Sequence, residues 1–441
     1  MNISKTELSG ALSALGKLIC RTSPLAEYKS LQIETTQNAL FLRTASLNET
    51  LEYQILTAVD QKFDLCVNFD EFRDAVRNCR SKNVQLEFQQ ENNTLLTGER
   101  QLQVSQIKLP VIERAETCDS VIFKDGFLDL LKRMAPVVDT HNARKIMHGI
   151  NVSKEGLTVT NGRELLHIPM ELALMPQLTI PLPFGLFMTK ETSAGVLEWW
   201  QNTGVTYIRI SVGSWTWISK ALQGDYPDWH KVIPADSSLY NSIHYSPETC
   251  EVLLQWCKNI PDSRDDVTAV SFSSREKGMI HLEVNEMELD VSAELNGDWN
   301  TLVIHLNKMS FQRLLSLGHT TLRFHDCYSP LTADGGTGRY ITMPIRKIER
   351  TQQIQTTETD KEKENMNQQV TEPVQEAEEC VSNPMDELMN VIESCRLKLK
   401  AVTEEATLLS RKVREVQLAQ KQKERDFIQA RRAIERIRMA I

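Results

Sequence analysis

The chain has 441 residues, 41% hydrophobic and 25% charged, a balance that fits two to four globular domains and excludes collagen-like and wholly disordered readings. Its 50 Lys and Arg against 59 Asp and Glu give a formal net charge of -9, so a general electrostatic grip on nucleic acid is excluded and any such contact must come from local placement of charge. The nine cysteines include no C-x-x-C pair, which predicts free thiols in a reducing compartment rather than disulfides or a zinc site; neither a signal-peptide core nor an apolar run of 18 residues is present.

Residues 1–348 hold every aromatic except Phe427 and read as alternating short strands and helices. Leucines at three- and four-residue spacing predict amphipathic helices over 8–19, 125–137 and 247–260. Strand-like stretches follow each (LQIETT, HGINVS, AVSFSS). Next, each copy has an apolar strand running into a second helix, over 65–79, 178–200 and 302–317, and then an alternating strand (VQLEF, TYIRISV, TLRFH). The order recurs at about 115–125 residues, too long for a solenoid unit, and predicts three similar α+β domains at 1–118, 119–242 and 243–348. Trp199, Trp200, Trp215 and Trp217 are expected to pack in the core of the second.

Composition changes twice after residue 348. Residues 349–383 carry 9 acidic and 3 basic residues and no aromatic, which predicts a flexible acidic linker with a reach of roughly 30 Å. From Ile392 a heptad can be written with Leu399, Val413, Phe427 and Ile434 among its a positions and Val402, Leu409 and Val416 among its d positions. That pattern predicts a coiled-coil helix within 384–441, interrupted at Gln420 and Lys423, which pairs with its twin or a dedicated partner.

No enzyme signature is present. Asp334-Gly335-Gly336-Thr337-Gly338 lacks the Lys-Ser/Thr of a phosphate loop and reads as a hairpin turn. There is no H-E-x-x-H and no G-x-S-x-G. The chain is therefore expected to be non-catalytic, with no metal and no cofactor.

Three motifs point further. Gly224-Asp225-Tyr226-Pro227-Asp228-Trp229-His230-Lys231-Val232-Ile233-Pro234 closes the second repeat. Tyr340-Ile341-Thr342-Met343-Pro344-Ile345-Arg346 closes the third, and Thr160-Asn161-Gly162-Arg163-Glu164-Leu165 lies within the second. Together they resemble the bacterial sliding clamp, the beta subunit of DNA polymerase III, over about residues 1–347. Arg21-Thr22-Ser23-Pro24-Leu25 is a looser match to that family's first-domain turn.

The resemblance implies three clamp-fold domains forming half of a ring. Two chains would close head to tail around double-stranded DNA, with helices lining the hole, and would tether DNA polymerase and other replication or repair proteins in the cytoplasm, at the nucleoid, with polymerase and clamp loader bound through short peptide motifs. It makes cations on or next to the repeat helices the candidates for DNA contact without sequence preference: Arg21, Arg73, Arg77, Arg80, Lys132, Arg133, Arg144, Lys190 and Lys308, with Lys17, Lys258 and Arg313 beside them, of which Arg21 and Arg144 match the family's positions near DNA most directly. It also implies a peptide pocket between the second and third domains, formed by Met147, Thr160, Gly162, Leu165, Pro227, Lys231, Val232, Ile341, Met343, Pro344, Ile345 and Arg346.

Glu164 stands where that family usually carries Arg. It is expected to place a negative charge at the pocket rim unless Arg163 or Arg346 pairs with it, and so to disfavour acidic client peptides. The alternative function is a clamp-fold scaffold that no longer loads on DNA and acts through its coiled coil.

Overall fold

The computed structural model describes residues 1–346 except 111, 113, 114, 173, 174, 262–267, 286, 300 and 301. The chain divides into Met1–Thr351 and Gln352–Ile441, and all described residues lie in the first unit. The linker over 349–383 and the coiled coil over 384–441 lie outside the described residues.

One order of elements occurs three times. The first copy runs β1 (Asn2–Ser4), α1 (Lys5–Leu15), β2 (Ser30–Thr35), β3 (Ala39–Ala45), β4 (Glu49–Leu56), β5 (Asp64–Asn68), α2 (Phe69–Asn78), β6 (Asn83–Gln89), β7 (Thr94–Thr97) and β8 (Arg100–Gln103). The second runs β9 (Asp119–Phe123), α3 (Phe127–Met134), β10 (Gly149–Ser153), β11 (Gly156–Thr160), β12 (Glu164–Pro169), β13 (Leu178–Pro181), α4 (Phe184–Phe187), β14 (Gly195–Asn202), β15 (Val205–Val212) and β16 (Trp215–Lys220). The third runs β17 (Asn241–His244), α5 (Pro247–Asn259), β18 (Ala269–Ser273), β19 (Met279–Val284), β20 (Met287–Ser292), an added β21 (Glu294–Asn296), β22 (Ile304–Asn307), α6 (Lys308–Ser316), β23 (Thr321–Phe324), β24 (Leu331–Asp334) and β25 (Arg339–Thr342).

Strand order repeats as well. The strand before each first helix joins the three strands after the second helix, as β1-β6-β7-β8, β9-β14-β15-β16 and β17-β23-β24-β25. The strand before each second helix joins the other three, as β5-β2-β3-β4, β13-β10-β11-β12 and β22-β18-β19-β20. Two seams fuse these half-sheets across copies. β4 pairs antiparallel with β16, and β12 with β25, giving sheets of eight and nine strands. At the first seam Tyr53 lies opposite Trp215 with ring centroids 4.4 Å apart, and Glu49 accepts a 2.8 Å hydrogen bond from the Trp217 indole.

The helices pack pairwise, α1 on α2, α3 on α4 and α5 on α6. Leu8, Leu12 and Leu15 of α1 and Leu128 and Leu131 of α3 are fully buried, as the leucine spacing predicts. Each such side chain contributes about 1.5–3 kcal/mol by leaving water. Asn68 and Asn307 cap α2 and α6, each side chain accepting from two free backbone N–H groups. Trp199, Trp200, Trp215 and Trp217 of the second copy are all buried.

The helix expected within 178–200 is a correction. There α4 is a single turn, and Val196–Trp200 belong to strand β14. Pro183 stands at the cap position where the other copies have Asn, and offers no side-chain acceptor. The β-branched and aromatic run that follows favours an extended backbone. Close packing also limits this turn: a Cβ on Gly185 would come within 2.5 Å of Leu51 Cδ2. The Asp334–Gly338 run is a hairpin turn between β24 and β25, with Gly335 and Gly338 at positive φ. Among the described residues no helix is long and apolar enough to cross a membrane.

Candidate functional site

A cleft of about 340 Å³ opens where β12 meets β25. Its apolar floor is a cluster of Ile146, Met147, Leu165, Tyr226, Trp229 and Ile341, with Leu222 and Ile233 packed against it. Met343, 44% exposed, and half-exposed Val232 stand on the wall. An adaptable thioether among aliphatic and aromatic neighbours suits a pocket for short apolar peptide segments.

Local bonding sets the shape. Asn161 Oδ1 accepts from the backbone N–H groups of Arg163 (2.9 Å) and Glu164 (2.8 Å), and Thr160 Oγ1 donates to the Glu164 carbonyl (2.7 Å). Gly162 takes φ +88° in this turn, where a Cβ would meet only Met147 Cε at 3.9 Å; the requirement is conformational rather than one of space. Tyr226 OH accepts from Thr160 N–H at 3.0 Å, and burial pushes its phenol well above the ordinary value.

The turn sends consecutive side chains to opposite sides. Arg163 is exposed, whereas Glu164 is 6% exposed and points beneath the seam. Its carboxylate accepts from Ser310 Oγ (2.5 Å), Tyr340 OH (2.8 Å) and Arg313 of α6. Burial first, then the Glu164 charge, hold the Tyr340 phenol well above its usual range. The expected negative charge at the rim is therefore a correction: Glu164 is neutralised by Arg313, a partner 149 residues away, and neither Arg163 nor Arg346 is involved. The other carboxylate on the lining, Asp228, is held low by hydrogen bonds from Lys231 and His230. Arg144 and Arg163 line the cleft without an ion-pair partner among the described residues.

Behind the cleft, Trp229 stacks on His167 and His230 at 4.2 and 3.9 Å. His230 Nε2 lies 2.6 Å from Glu155 Oε2, and that contact raises the imidazole above its ordinary pKa. Burial lowers His167.

The structure brings Met147, Thr160, Gly162, Leu165, Pro227, Val232, Ile341 and Met343 onto one lining. Lys231 is 80% exposed and reaches the cleft only through Asp228. Pro344, Ile345 and Arg346 turn away: Ile345 N–H donates to the His305 carbonyl, and Arg346 stacks over Tyr328 at 5.6 Å. Asn142, Asp228 and Trp229 also line the cleft and were not anticipated. Trp229 had a signal, since it stands inside the quoted Asp-aromatic motif.

The expected DNA-contact residues scatter more. Arg21 lies between α1 and α2, Arg73 and Arg77 are on α2, and Arg80 follows it. Lys190 is exposed after α4. Lys132 is tied to Asp129 and the Thr189 carbonyl, and Arg133 donates to Thr337 of the β24–β25 turn. Arg144 lies on the cleft rather than on a helix pair. Lys308 is a correction. It is 4% exposed, with Nζ donating to the Ile260 carbonyl at the end of α5, so it cannot reach a phosphate. Arg313 is held by Glu164. Among the described residues no group of three His, Cys, Asp or Glu could hold a metal ion.

No family model matches the sequence. The chain is similar to the beta sliding clamp of Chlamydia muridarum, with 22% identity over 364 residues that cover 78% of this chain and 98% of that protein. Its fold is similar to the Helicobacter pylori beta clamp solved with a DNA ligase peptide (TM-score 0.64, 19% identity, 78% of this chain and 99% of that one). It is also similar to DNA polymerase III subunit beta from Borrelia burgdorferi solved with a natural product (TM-score 0.66, 15% identity, 78% and 98%).

Proposed function

We propose that this chain, a homologue of the beta sliding clamps by sequence and by fold, closes with a second copy around duplex DNA and tethers a DNA polymerase and other clients to it. The observation that carries this reading is the pattern of seams. Within the chain, each seam joins the last strand of one kind of half-sheet (β4, β12) to the last strand of the other kind (β16, β25). One strand of each kind is left open: β20 in the third copy and β8 in the first. An unpaired edge of this sort is a template for another chain.

Repeating the internal seam therefore places β20 of one chain on β8 of the next, head to tail. Two chains then supply six repeats and two intermolecular seams, and no edge of either kind remains, as closed symmetry requires. Charge agrees, since β8 carries Arg100 and β20 carries Glu288 and Asp290. The paired helices face the hole and offer cations to phosphates without reading bases. The cleft takes a short apolar segment of each client; the Helicobacter pylori relative is bound to a DNA ligase peptide. Such a tether needs no chemistry of its own, because it works by raising effective concentration.

The test uses full-length protein. Linear duplex is threaded, circularised with a ligase and washed in high salt. A dimer in sedimentation that stays on circles and is lost on cutting them is the expected result. A monomer with no dependence on DNA topology would overturn the ring and favour the scaffold alternative.

A further inference from the structure

The depression between α1 and α2, about 430 Å³, gathers four cations on one surface: Lys17, Arg21, Arg73 and Arg77. Two of them are already occupied. Asp70, in the first turn of α2, accepts from Arg21 Nε (3.0 Å) and Nη2 (2.9 Å) in the two-pronged geometry of a guanidinium on an oxyanion. The same Oδ1 lies 3.0 Å from Arg73 Nη2. Lys17 and Arg77 form no ion pair with a described residue. The side chains of Arg21, Asp70 and Arg73 are 52, 40 and 41% exposed, so the triad is open to solvent and to any polyanion that reaches the depression.

We propose that Asp70 is a built-in competitor for DNA phosphate, which occupies Arg21 and Arg73 and so keeps the grip of the ring on its track weak. The inference rests on the reading that DNA passes the helix pairs. Asp70 acts through the two arginines and is a positioning residue rather than a contact. A phosphate approaching Arg21 must first displace a carboxylate that fits the same fork. The exchange trades one ion pair for another, leaving little net gain, which suits a ring that has to move along the duplex. The hydrogen bonds from Arg21 hold the Asp70 carboxyl below its ordinary range, so the competitor stays charged at neutral pH. Asp70 is not the helix cap: Asn68 does that work, so Asp70 can be neutralised without removing the cap bonds.

The experiment measures binding of a short linear duplex to the full chain at about 50–200 mM salt, where the slope of log affinity on log salt counts phosphates engaged, roughly 0.9 each. Asp70→Asn should steepen the slope by about 1–2 and raise low-salt affinity on the order of tenfold. Glu71→Gln removes a neighbouring exposed charge that touches no arginine and should leave the slope unchanged. Arg21→Ala combined with Asp70→Asn should give up about half of that gain, and the triple variant that adds Arg73→Ala should return the slope to about the wild-type value. An equal effect from Glu71→Gln, an unchanged slope in Asp70→Asn, or a gain that survives loss of both Arg21 and Arg73 would each sink the proposal while duplex binding by the wild type still stood. Absence of salt-dependent binding in both the wild type and Asp70→Asn would instead remove the DNA reading itself, and this proposal with it. Thermal unfolding of each variant confirms that the comparison is between folded chains.

Discussion

Among the carboxylates that hold arginines in this chain, Glu164 and Asp70 have surroundings that give them different work. Glu164 sits beneath the β12–β25 seam, 6% exposed, and satisfies Arg313, Ser310 and Tyr340 together. Asp70 sits on the open surface between α1 and α2 and shares itself between Arg21 and Arg73. Removing one member of a buried charged network strands the rest without water, whereas an exposed pair exchanges its partner for solvent at small cost. The buried carboxylate therefore holds two repeats together. The exposed one can only adjust what a passing anion meets.

The largest expected effect breaks the buried member. Glu164→Ala leaves the Arg313 guanidinium and two hydroxyls without their acceptor, and should cost about 3–5 kcal/mol in denaturant unfolding. Asp70→Ala should cost no more than about 1 kcal/mol in the same assay. Equal losses at the two sites would erase the contrast. Because Leu165 and Ile341 of the cleft floor lie opposite each other in the strand pair that Glu164 anchors, the buried variant should also weaken peptide binding.

A smaller effect concerns the cleft rim. With Glu164 turned inward and Asp228 engaged by Lys231, the charges on the lining without an ion-pair partner among the described residues are Arg144 and Arg163. A client peptide with an acidic residue beside its apolar anchor should bind about three- to fivefold more tightly than its neutral analogue at low salt, an advantage of the size exposed pairs provide and that salt screens away. Titration of both peptides against the wild type and Arg163→Ala checks this. Preference for the neutral peptide would return the negative rim that the sequence suggested.

That reversal shows where the sequence is legible. Leucine spacing and recurring strand-helix order announce three similar modules, because burial on one face is a local periodicity. The cleft residues were legible through the motifs around Gly162, Pro227 and Met343, and most of them do meet. Partners remote in the chain were not. Nothing near Glu164 announces Arg313, and nothing near Lys308 announces the Ile260 carbonyl that buries its ammonium. The single-turn α4 was hidden for a different reason, since an apolar run after Pro181 and Pro183 fits a helix and a strand alike until the sheet selects one.

The smallest expected effect tests a third carboxylate pair, which falls on the exposed side of the comparison. His230 meets Glu155 and Asp228 at the surface while its neighbour Trp229 forms part of the cleft floor. The contact with Glu155 raises the imidazole above its ordinary value of about 6.5, so the charged form is favoured in the folded chain. A raised folded value means that the stabilisation is fully present below the unfolded pKa and is lost as pH rises through the folded one. The difference in unfolding midpoint between the wild type and His230→Gln should thus be largest below the unfolded imidazole value of about 6.5 and should close as pH rises through the raised folded one. The gap stays below about 1 kcal/mol throughout, because the group is exposed. A gap that widens with pH would mean that the neutral imidazole, through its stack on Trp229, holds this wall in place instead of the ion pair.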